Sequence, residues 1–256
     1  MFKNVIVRTP GKSLTEGITS SPGLGKPDYA LALRQHAAYI AALQSCGVEA
    51  MVLPADEAFP DSCFVEDVAV VSEKCAILTN PGADSRKGEV ANIVSAIERF
   101  YTKEHVHAIT EPGTLEGGDV MRVDDCFYVG RSLRTNAEGI AQFAAFLQPY
   151  GYTVVEVPLT EFLHLKTGVN YLSDNRMLVS GEFITKPEFA RYEKTVIPED
   201  EGYAANSLWV NGKVLVPADF PKTEACIREM GYTVLVVDTS EFRKLDGGLS
   251  CLSLRF

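Results

Sequence analysis

Gly151-Tyr152-Thr153-Val154-Val155-Glu156-Val157 returns later in the chain as Gly231-Tyr232-Thr233-Val234-Leu235-Val236-Val237. In both copies Glu-Phe follows at the same offset, as Glu161-Phe162 and Glu241-Phe242. A fainter copy begins at Gly47-Val48-Glu49-Ala50-Met51-Val52-Leu53. Each glycine ends a helical pattern: Tyr29 to Cys46, Ala137 to Tyr150 and Thr223 to Met230. Helix, glycine stop, strand is therefore a repeated unit.

Working outward, short apolar runs broken by polar turn residues predict hairpins. They are Val68 to Leu78 around Ser72-Glu73-Lys74, Val120 to Val129 around Asp124-Asp125, Asn170 to Val179 around Asp174-Asn175, and Ser207 to Val216 around Asn211-Gly212. The terminal runs, Val5-Ile6-Val7 and Cys251 to Leu254, pair as a fifth. The first three turn centres recur at roughly 50 residues, a spacing that suggests radially repeated units. The expectation is an α/β fold: a five-unit pseudo-symmetric α/β propeller closed by pairing of the N- and C-terminal strands. Thr135-Asn136-Ala137-Glu138 resembles a capping box, and Pro221 suits a first helical turn. No linker or low-complexity tract divides residues 1–256, so a single domain is expected.

At 256 residues and 46% hydrophobic content the chain can bury a sizeable core. No stretch approaches the roughly 20 apolar residues of a membrane helix. Met1 to Arg8 reads as a strand and has neither an apolar signal core nor a cleavage site. The six cysteines, at 46, 63, 75, 126, 226 and 251, form no CxxC pair, which favours a reducing cytoplasmic location over a disulfide scaffold. A net charge of −10 disfavours nucleic acid and anionic membrane surfaces and draws in small cations.

The reactive candidates fall at one position of the repeat. Glu66-Asp67, Glu116, His164, the Tyr203 to Asn206 segment and Cys251 each stand just before or at the start of a hairpin. In a closed ring such positions converge on one mouth of the axis. Cys251 follows Gly247-Gly248, read here as a flexible loop that presents the sulfur at the start of a strand. A thiol, an imidazole and several carboxylates suit a planar cationic ligand with an electrophilic carbon, such as a guanidinium. Cys251 would attack that carbon, His164 would protonate the departing amine and then deprotonate water, and Glu116 would hold the cation. A free thiol ionises at about 8.5, so a neighbouring cation would help to form the thiolate. This chemistry needs no metal or organic cofactor.

Arg8-Thr9-Pro10, Gly25-Lys26-Pro27-Asp28-Tyr29, Phe64-Val65-Glu66-Asp67, Leu115-Glu116-Gly117-Gly118-Asp119, Arg134 to Gly139, Leu163-His164-Leu165-Lys166-Thr167-Gly168, Tyr203-Ala204-Ala205-Asn206 and Leu245 to Cys251 carry a resemblance that runs essentially end to end. The chain resembles the dimethylarginine dimethylaminohydrolases of the guanidino-group-modifying, or pentein, superfamily. The Leu115 to Asp119 motif alone suggests the superfamily; with His164 to Gly168 and Asp246 to Cys251 in this order it is more specific. The resemblance implies hydrolysis of methylated L-arginine to L-citrulline and a methylamine, with Cys251 as nucleophile, His164 as general acid and base, and Glu116 as its acidic partner. It implies that Glu66 and Asp67 contact the guanidinium and that Arg86 and Arg134 clamp the substrate carboxylate, which suits their forked donors. It further implies that Asp61, with backbone groups of Ile18 and Leu245, holds the α-amine. Residues 17–25 correspond to a mobile lid, in which Gly23 looks like an insertion and Ile18 replaces a common leucine. The partner is a small cationic amino acid, without nucleic acid or membrane, and a homodimer stays open.

Each residue also has a structural alternative. His164 between two leucines reads equally as a satisfied core histidine, Glu116 as a turn cap, and Arg86 or Arg134 as surface ion pairs of little consequence. Cys63 precedes a hairpin but lacks the diglycine; Cys46, Cys75, Cys126 and Cys226 read as core. His36 reads as helix surface, and His105-Val106-His107 lacks a third ligand for zinc. The competing functions are a deiminase of unmethylated arginine or a related guanidine, and a non-catalytic propeller that binds a macromolecule, as the related ribosome anti-association factor does.

Overall fold

In the computed structural model, which describes residues 1–256, the five expected hairpins form. Ala69–Val71 pairs with Ala76–Leu78, Val120–Val123 with Cys126–Arg131, Val169–Tyr171 with Arg176–Val179, and Leu208–Val210 with Lys213–Pro217, all antiparallel. Asn4–Arg8 pairs in the same sense with the short terminal strand Leu254–Arg255. The turns obey the local chemistry: Asn211 and Gly212 have φ of 50° and 89°, and Asp174 and Asn175 have 51° and 66°. These are the left-handed pairs that a two-residue hairpin loop requires.

Each hairpin gains a third, parallel strand, making five three-stranded sheets. The added strands are Glu49–Leu53, Val106–Ala108, Thr153–Pro158, Glu193–Val196 and Thr233–Val237. Parallel neighbours need a crossover of a dozen or more residues. In three units it is an α-helix: Tyr29–Ser45, Ala137–Leu147 and Pro221–Glu229. These are followed by Gly47, Gly151 and Gly231 at φ of 81°, 81° and 92°, a region closed to residues with a side chain except at a cost. In the other two units short helical turns replace the regular helix, at Asp84–Asn92 with Val94–Ile97 and at Gly181–Ile184 with Pro187–Phe189. No glycine stop marks them, which is why strands Val106–Ala108 and Glu193–Val196 escaped the sequence pattern. The result is a mixed α/β protein with five apolar clusters between sheets and helices. The largest joins the two ends of the chain through Val5, Val7, Tyr39, Leu208, Phe242 and Leu252.

Every unit enters its first strand through a helical turn: Val65–Val68, Gly117–Asp119, Leu165–Gly168, Glu199–Ala205 and Ser250–Leu252. The turns adjoin one another in the order Ser250–Leu252, Val65–Val68, Gly117–Asp119, Leu165–Gly168, Glu199–Ala205. Asn206 then meets Ser250, its amide donating to Ser250 Oγ at 3.0 Å and its Oδ1 accepting from the Ser250 N–H at 2.9 Å. Five distant segments are thereby brought next to one another.

Several local expectations change. Cys251 does not begin a strand but lies in the turn Ser250–Leu252, because the strand is only Leu254–Arg255. The helix Ala137–Leu147 is capped by Asn136, whose Oδ1 accepts from the Gly139 N–H at 2.8 Å; Thr135 is turned inward instead. His36 is buried, not on a helix surface, and burial drives its pKa down to about 4. Cys46, Cys63 and Cys75 are buried, whereas Cys126 and Cys226 are only partly so. His105 Nδ1 and His107 Nε2 both turn to the Tyr150 hydroxyl, at 3.1 and 2.9 Å. No helix is long and apolar enough to cross a membrane.

Candidate active site

Glu116 is almost wholly buried, and each of its oxygens has work. Oε2 lies 2.7 Å from His164 Nε2, while Oε1 accepts from the Ala83 N–H at 3.0 Å and from Arg134 at 3.4 Å. Burial raises its pKa, but the hydrogen bond and charge of His164, with Arg134 and Arg86, overcome this and bring it down to about 2. His164 shows the converse. Burial lowers its pKa, yet the charge of Asp119, the bond to Glu116 and the charge of Asp67 raise it to about 9. At neutral pH the pair is an imidazolium facing a carboxylate, with Nε2–H donating to Glu116.

Asp119, the last residue of the Leu115 to Asp119 motif, carried no role in the sequence. It is fully buried and accepts from Ser132 Oγ at 2.6 Å, from Thr135 Oγ1 at 2.7 Å and from the Leu165 N–H at 3.0 Å. It anchors the turn that begins just after His164 and supplies the leading charge on that imidazole. The two glycines of the motif are demanded by space. A methyl group on Gly117 would stand 1.9 Å from the Glu66 carbonyl oxygen, and one on Gly118 would stand 2.7 Å from His164 Nδ1 and 2.9 Å from Asp67 Oδ1. Gly117→Ala therefore meets backbone and should cost about 3 kcal/mol or more in a urea unfolding curve. Gly118→Ala meets side chains: the chain should fold and lose turnover about 10-fold or more as the imidazole is displaced. Equal urea midpoints for the two variants would contradict this distinction.

Cys251 is partly buried, and its Sγ accepts from the Gly248 N–H at 3.4 Å. Burial first, then the carboxylates of Glu66 and Asp67, push its thiol up to about 12, against the pull of that N–H and of Lys166. Cys251 is thus a neutral thiol near neutral pH. The diglycine that precedes it is tightly packed rather than loose: a methyl on Gly247 would lie 2.2 Å from the Phe64 ring, and one on Gly248 2.6 Å from Asn206. Tyr203, the other end of the Tyr203 to Asn206 motif, donates its hydroxyl to the Gly247 carbonyl at 2.8 Å.

A cavity of about 40 Å³ lies at this point, and its lining brings together Cys251, His164, Glu116, Asp67, Asp61, Arg86, Arg134, Ile18 and Leu245. Glu66 is the one expected contact outside the lining. Its Oε2 accepts from Ser250 at 2.8 Å, and its Oε1 accepts from Arg255 at 2.8 Å and meets Lys166 at 2.5 Å. It faces instead a larger cavity of about 660 Å³, whose lining excludes Cys251, His164 and Glu116. Lys166, Ser250 and Arg255, the partners of Glu66, line that larger cavity with it. The larger of these two voids is therefore not the one with the reactive groups.

Asp67 accepts a short bond from Arg86 and the Gly118 N–H at 2.9 Å. Arg86 also bonds Glu89 at 3.0 and 2.8 Å and the Phe64 carbonyl at 3.0 Å, while its Nη1 has Asp67 as its one partner. Arg134 is less committed, with only Glu116 as ion partner. Asp61, its pKa raised by burial, accepts from the Ile18 N–H at 3.1 Å. Beyond Ile18, Ser20 Oγ donates to Asp246 at 2.8 Å and Ser21 Oγ at 3.3 Å, so two carboxylates tie down the 17–25 segment. Asp67, Glu116 and His164 have potential ligand atoms within 4.8 Å of one another, the one such group able to face a metal ion. Each is already bonded: Asp67 to Arg86, Glu116 to His164.

The family model described as N,N dimethylarginine dimethylhydrolase, eukaryotic, matches residues 26–213. The chain belongs to the dimethylarginine dimethylaminohydrolase family. It is 54% identical to the N(G),N(G)-dimethylarginine dimethylaminohydrolase of Pseudomonas aeruginosa over 100% of both chains. It is 40% identical to that of Streptomyces coelicolor over 99% of this chain and 96% of the other. Among solved structures, a cysteine-to-serine mutant of the Pseudomonas aeruginosa dimethylarginine dimethylaminohydrolase complexed with citrulline superposes with a TM-score of 0.98, at 54% identity and full coverage of both chains. A histidine-to-glycine variant of a dimethylarginine dimethylaminohydrolase, in adduct with S-methyl-L-thiocitrulline, matches equally, at TM-score 0.98 and 54% identity over both full chains. The fold extends to the N-terminal domain of a cyanobacterial arginine dihydrolase, at TM-score 0.87 and 19% identity over 98% of this chain and 97% of the other.

Proposed function

We propose that this chain hydrolyses Nω-methylated L-arginine to L-citrulline and methylamine or dimethylamine through a covalent adduct on Cys251. The observation that carries the proposal is the single cavity lined at once by the Cys251 thiol, the His164–Glu116 ion pair, Asp67 and two arginines. The guanidinium lies between Asp67 and Glu116, and its charge lowers the thiol pKa that burial, Glu66 and Asp67 raise. Cys251 loses its proton to solvent and the thiolate attacks the central carbon. The imidazolium of His164, its Nε2–H held by Glu116, gives its other ring proton, on Nδ1, to the methylated amine as the C–N bond breaks. Neutral His164 then takes a proton from water; the hydroxide adds to the carbon, and collapse breaks the C–S bond, restores the thiolate, gives the hydroxyl proton to solvent and releases citrulline. Glu116 stabilises the imidazolium in both halves.

At the other end of the substrate, Arg134 and Arg86 meet the carboxylate, while Asp61 with the backbone of Ile18 and Leu245 receives the α-amine. A volume of about 40 Å³ is far below the roughly 300 Å³ or more of a small-molecule pocket. Substrate entry therefore requires the 17–25 segment to move as a lid, releasing Asp61 and Asp246 from Ile18, Ser20 and Ser21. The surroundings of Gly23 and Gly25, with no atom near either Cα hydrogen position, favour that motion. The ring of adjoining entry turns, completed by Asn206 and Ser250, supports a single-domain, closed five-unit propeller as the frame.

Citrulline formation from asymmetric dimethylarginine, monomethylarginine and arginine, measured side by side, tests the proposal. Turnover of the methylated substrates with release of methylamines is the expected result. Release of ammonia from arginine alone would make the chain a deiminase, and silence on all three would overturn the catalytic reading.

A further inference from the structure

The turn that carries Cys251 is held by a residue four positions further on. Arg255 sends NH1 to the Ser250 carbonyl at 2.9 Å and to the Ser253 carbonyl at 2.7 Å, and NH2 to Glu66 Oε1 at 2.8 Å. One guanidinium thus brackets Cys251 on both sides along the backbone. The same guanidinium offsets Glu66, the leading charge that disfavours the Cys251 thiolate. Among the other ties on this turn, Tyr39 donates to the Leu249 carbonyl at 2.8 Å, Asn206 receives the Ser250 N–H, and Ser250 Oγ donates to Glu66 Oε2 at 2.8 Å, so Arg255 is the one cation that bonds it. The arginine side chain is 12% exposed, on the wall facing the larger cavity, and does not line the space that holds Cys251. It belongs to the terminal strand, where period-two alternation assigns it only a pairing role.

Resting on the thiol mechanism above, we infer that Arg255 is a positioning residue for Cys251, fixing the nucleophile's turn through the Ser250 and Ser253 carbonyls and offsetting the charge of Glu66. The two contributions separate by substitution. Lysine keeps the charge but is a point donor, not a planar fork. Methionine keeps the apolar stem and removes both.

The experiment measures kcat and KM for asymmetric dimethylarginine, and the rate of iodoacetamide alkylation at Cys251 by peptide mass spectrometry near pH 8, in the parent, Arg255→Lys and Arg255→Met. Thermal melts monitor folding. In Arg255→Lys, kcat should fall about 10-fold with KM and alkylation within about 2-fold of the parent. In Arg255→Met, kcat should fall about 100-fold and alkylation about 10-fold, since the thiolate fraction near neutrality falls with each unit that the thiol pKa rises. Alkylation needs no turnover, so a parent inactive on methylarginine would sink the proposed reaction while the effect of Arg255 on the thiol is still read. Both variants with kcat within about 2-fold of the parent would overturn the inference, as would faster alkylation in Arg255→Met, the mark of a residue that merely keeps the turn closed. If Arg255→Met fails to fold, Arg255→Lys decides alone by the same kcat criterion.

Discussion

Cys251→Ser should leave no measurable citrulline formation, a loss of about 10⁴-fold or more, while the folded chain keeps its melting temperature. The reason lies in the electrostatics of the site. Burial and the carboxylates of Glu66 and Asp67 already hold the thiol neutral, up to about 12. A serine hydroxyl in the same field, with its far higher intrinsic pKa, cannot be ionised by the substrate cation. Stability should change little, because the sulfur makes only one weak hydrogen bond, at 3.4 Å from the Gly248 nitrogen. Citrulline assay and thermal melt together check both halves, and full activity in the serine variant would end the covalent mechanism.

The second large effect concerns the His164–Glu116 pair. Glu116→Gln should reduce kcat by about 10³-fold, because it removes both the hydrogen bond and the charge that hold the imidazolium. In the parent, His164 stays protonated until the pH approaches about 9, so turnover that depends on His164 as acid should fall as pH rises through that value. The stability consequences have defined signs. The His164 pKa is raised on folding, so its contribution is complete below its ordinary value near 6.5 and is lost as pH rises through about 9. The Glu116 pKa is lowered, so its contribution is complete above about 4.5 and is lost as pH falls through about 2. Each shift of two or so units corresponds to about 3 kcal/mol between protonation states, counted once for the shared pair. Urea unfolding of the parent and Glu116→Gln across pH 4 to 10 should show a difference that is largest between about 5 and 7 and shrinks on the alkaline side. A pH-independent difference would mean that the pair is not ionised in the folded protein.

Much of this site was legible before any coordinates. The pairing of Cys251, His164 and Glu116 with the starts of successive hairpins follows from turn chemistry: Asn211-Gly212 and Asp174-Asn175 mark loops, and the residues preceding each hairpin can be counted. Other features were not legible. Strands Val106–Ala108 and Glu193–Val196 follow irregular crossovers without a glycine stop, so no local signal announced them. Glu66 and Asp67 are adjacent, yet Asp67 lines the space with Cys251 and Glu66 lines the other one. Glu66 is held there by Ser250, Lys166 and Arg255, which come from distant segments. Gly247 and Gly248 looked like sources of flexibility, but Phe64 and Asn206 stand where their side chains would be.

The sequence by itself determined the repeated unit, the five hairpins and the chemical types gathered for reaction, because helix stops, turn dihedrals and strand alternation are properties of neighbouring residues. Only the tertiary structure decided which charges face one another. Asp119 behind His164, Arg86 on Asp67 and Arg255 around the Cys251 turn are contacts between segments far apart in the chain or between a side chain and a folded backbone turn. Their energies depend on distance and burial, and no periodicity along the chain records those quantities.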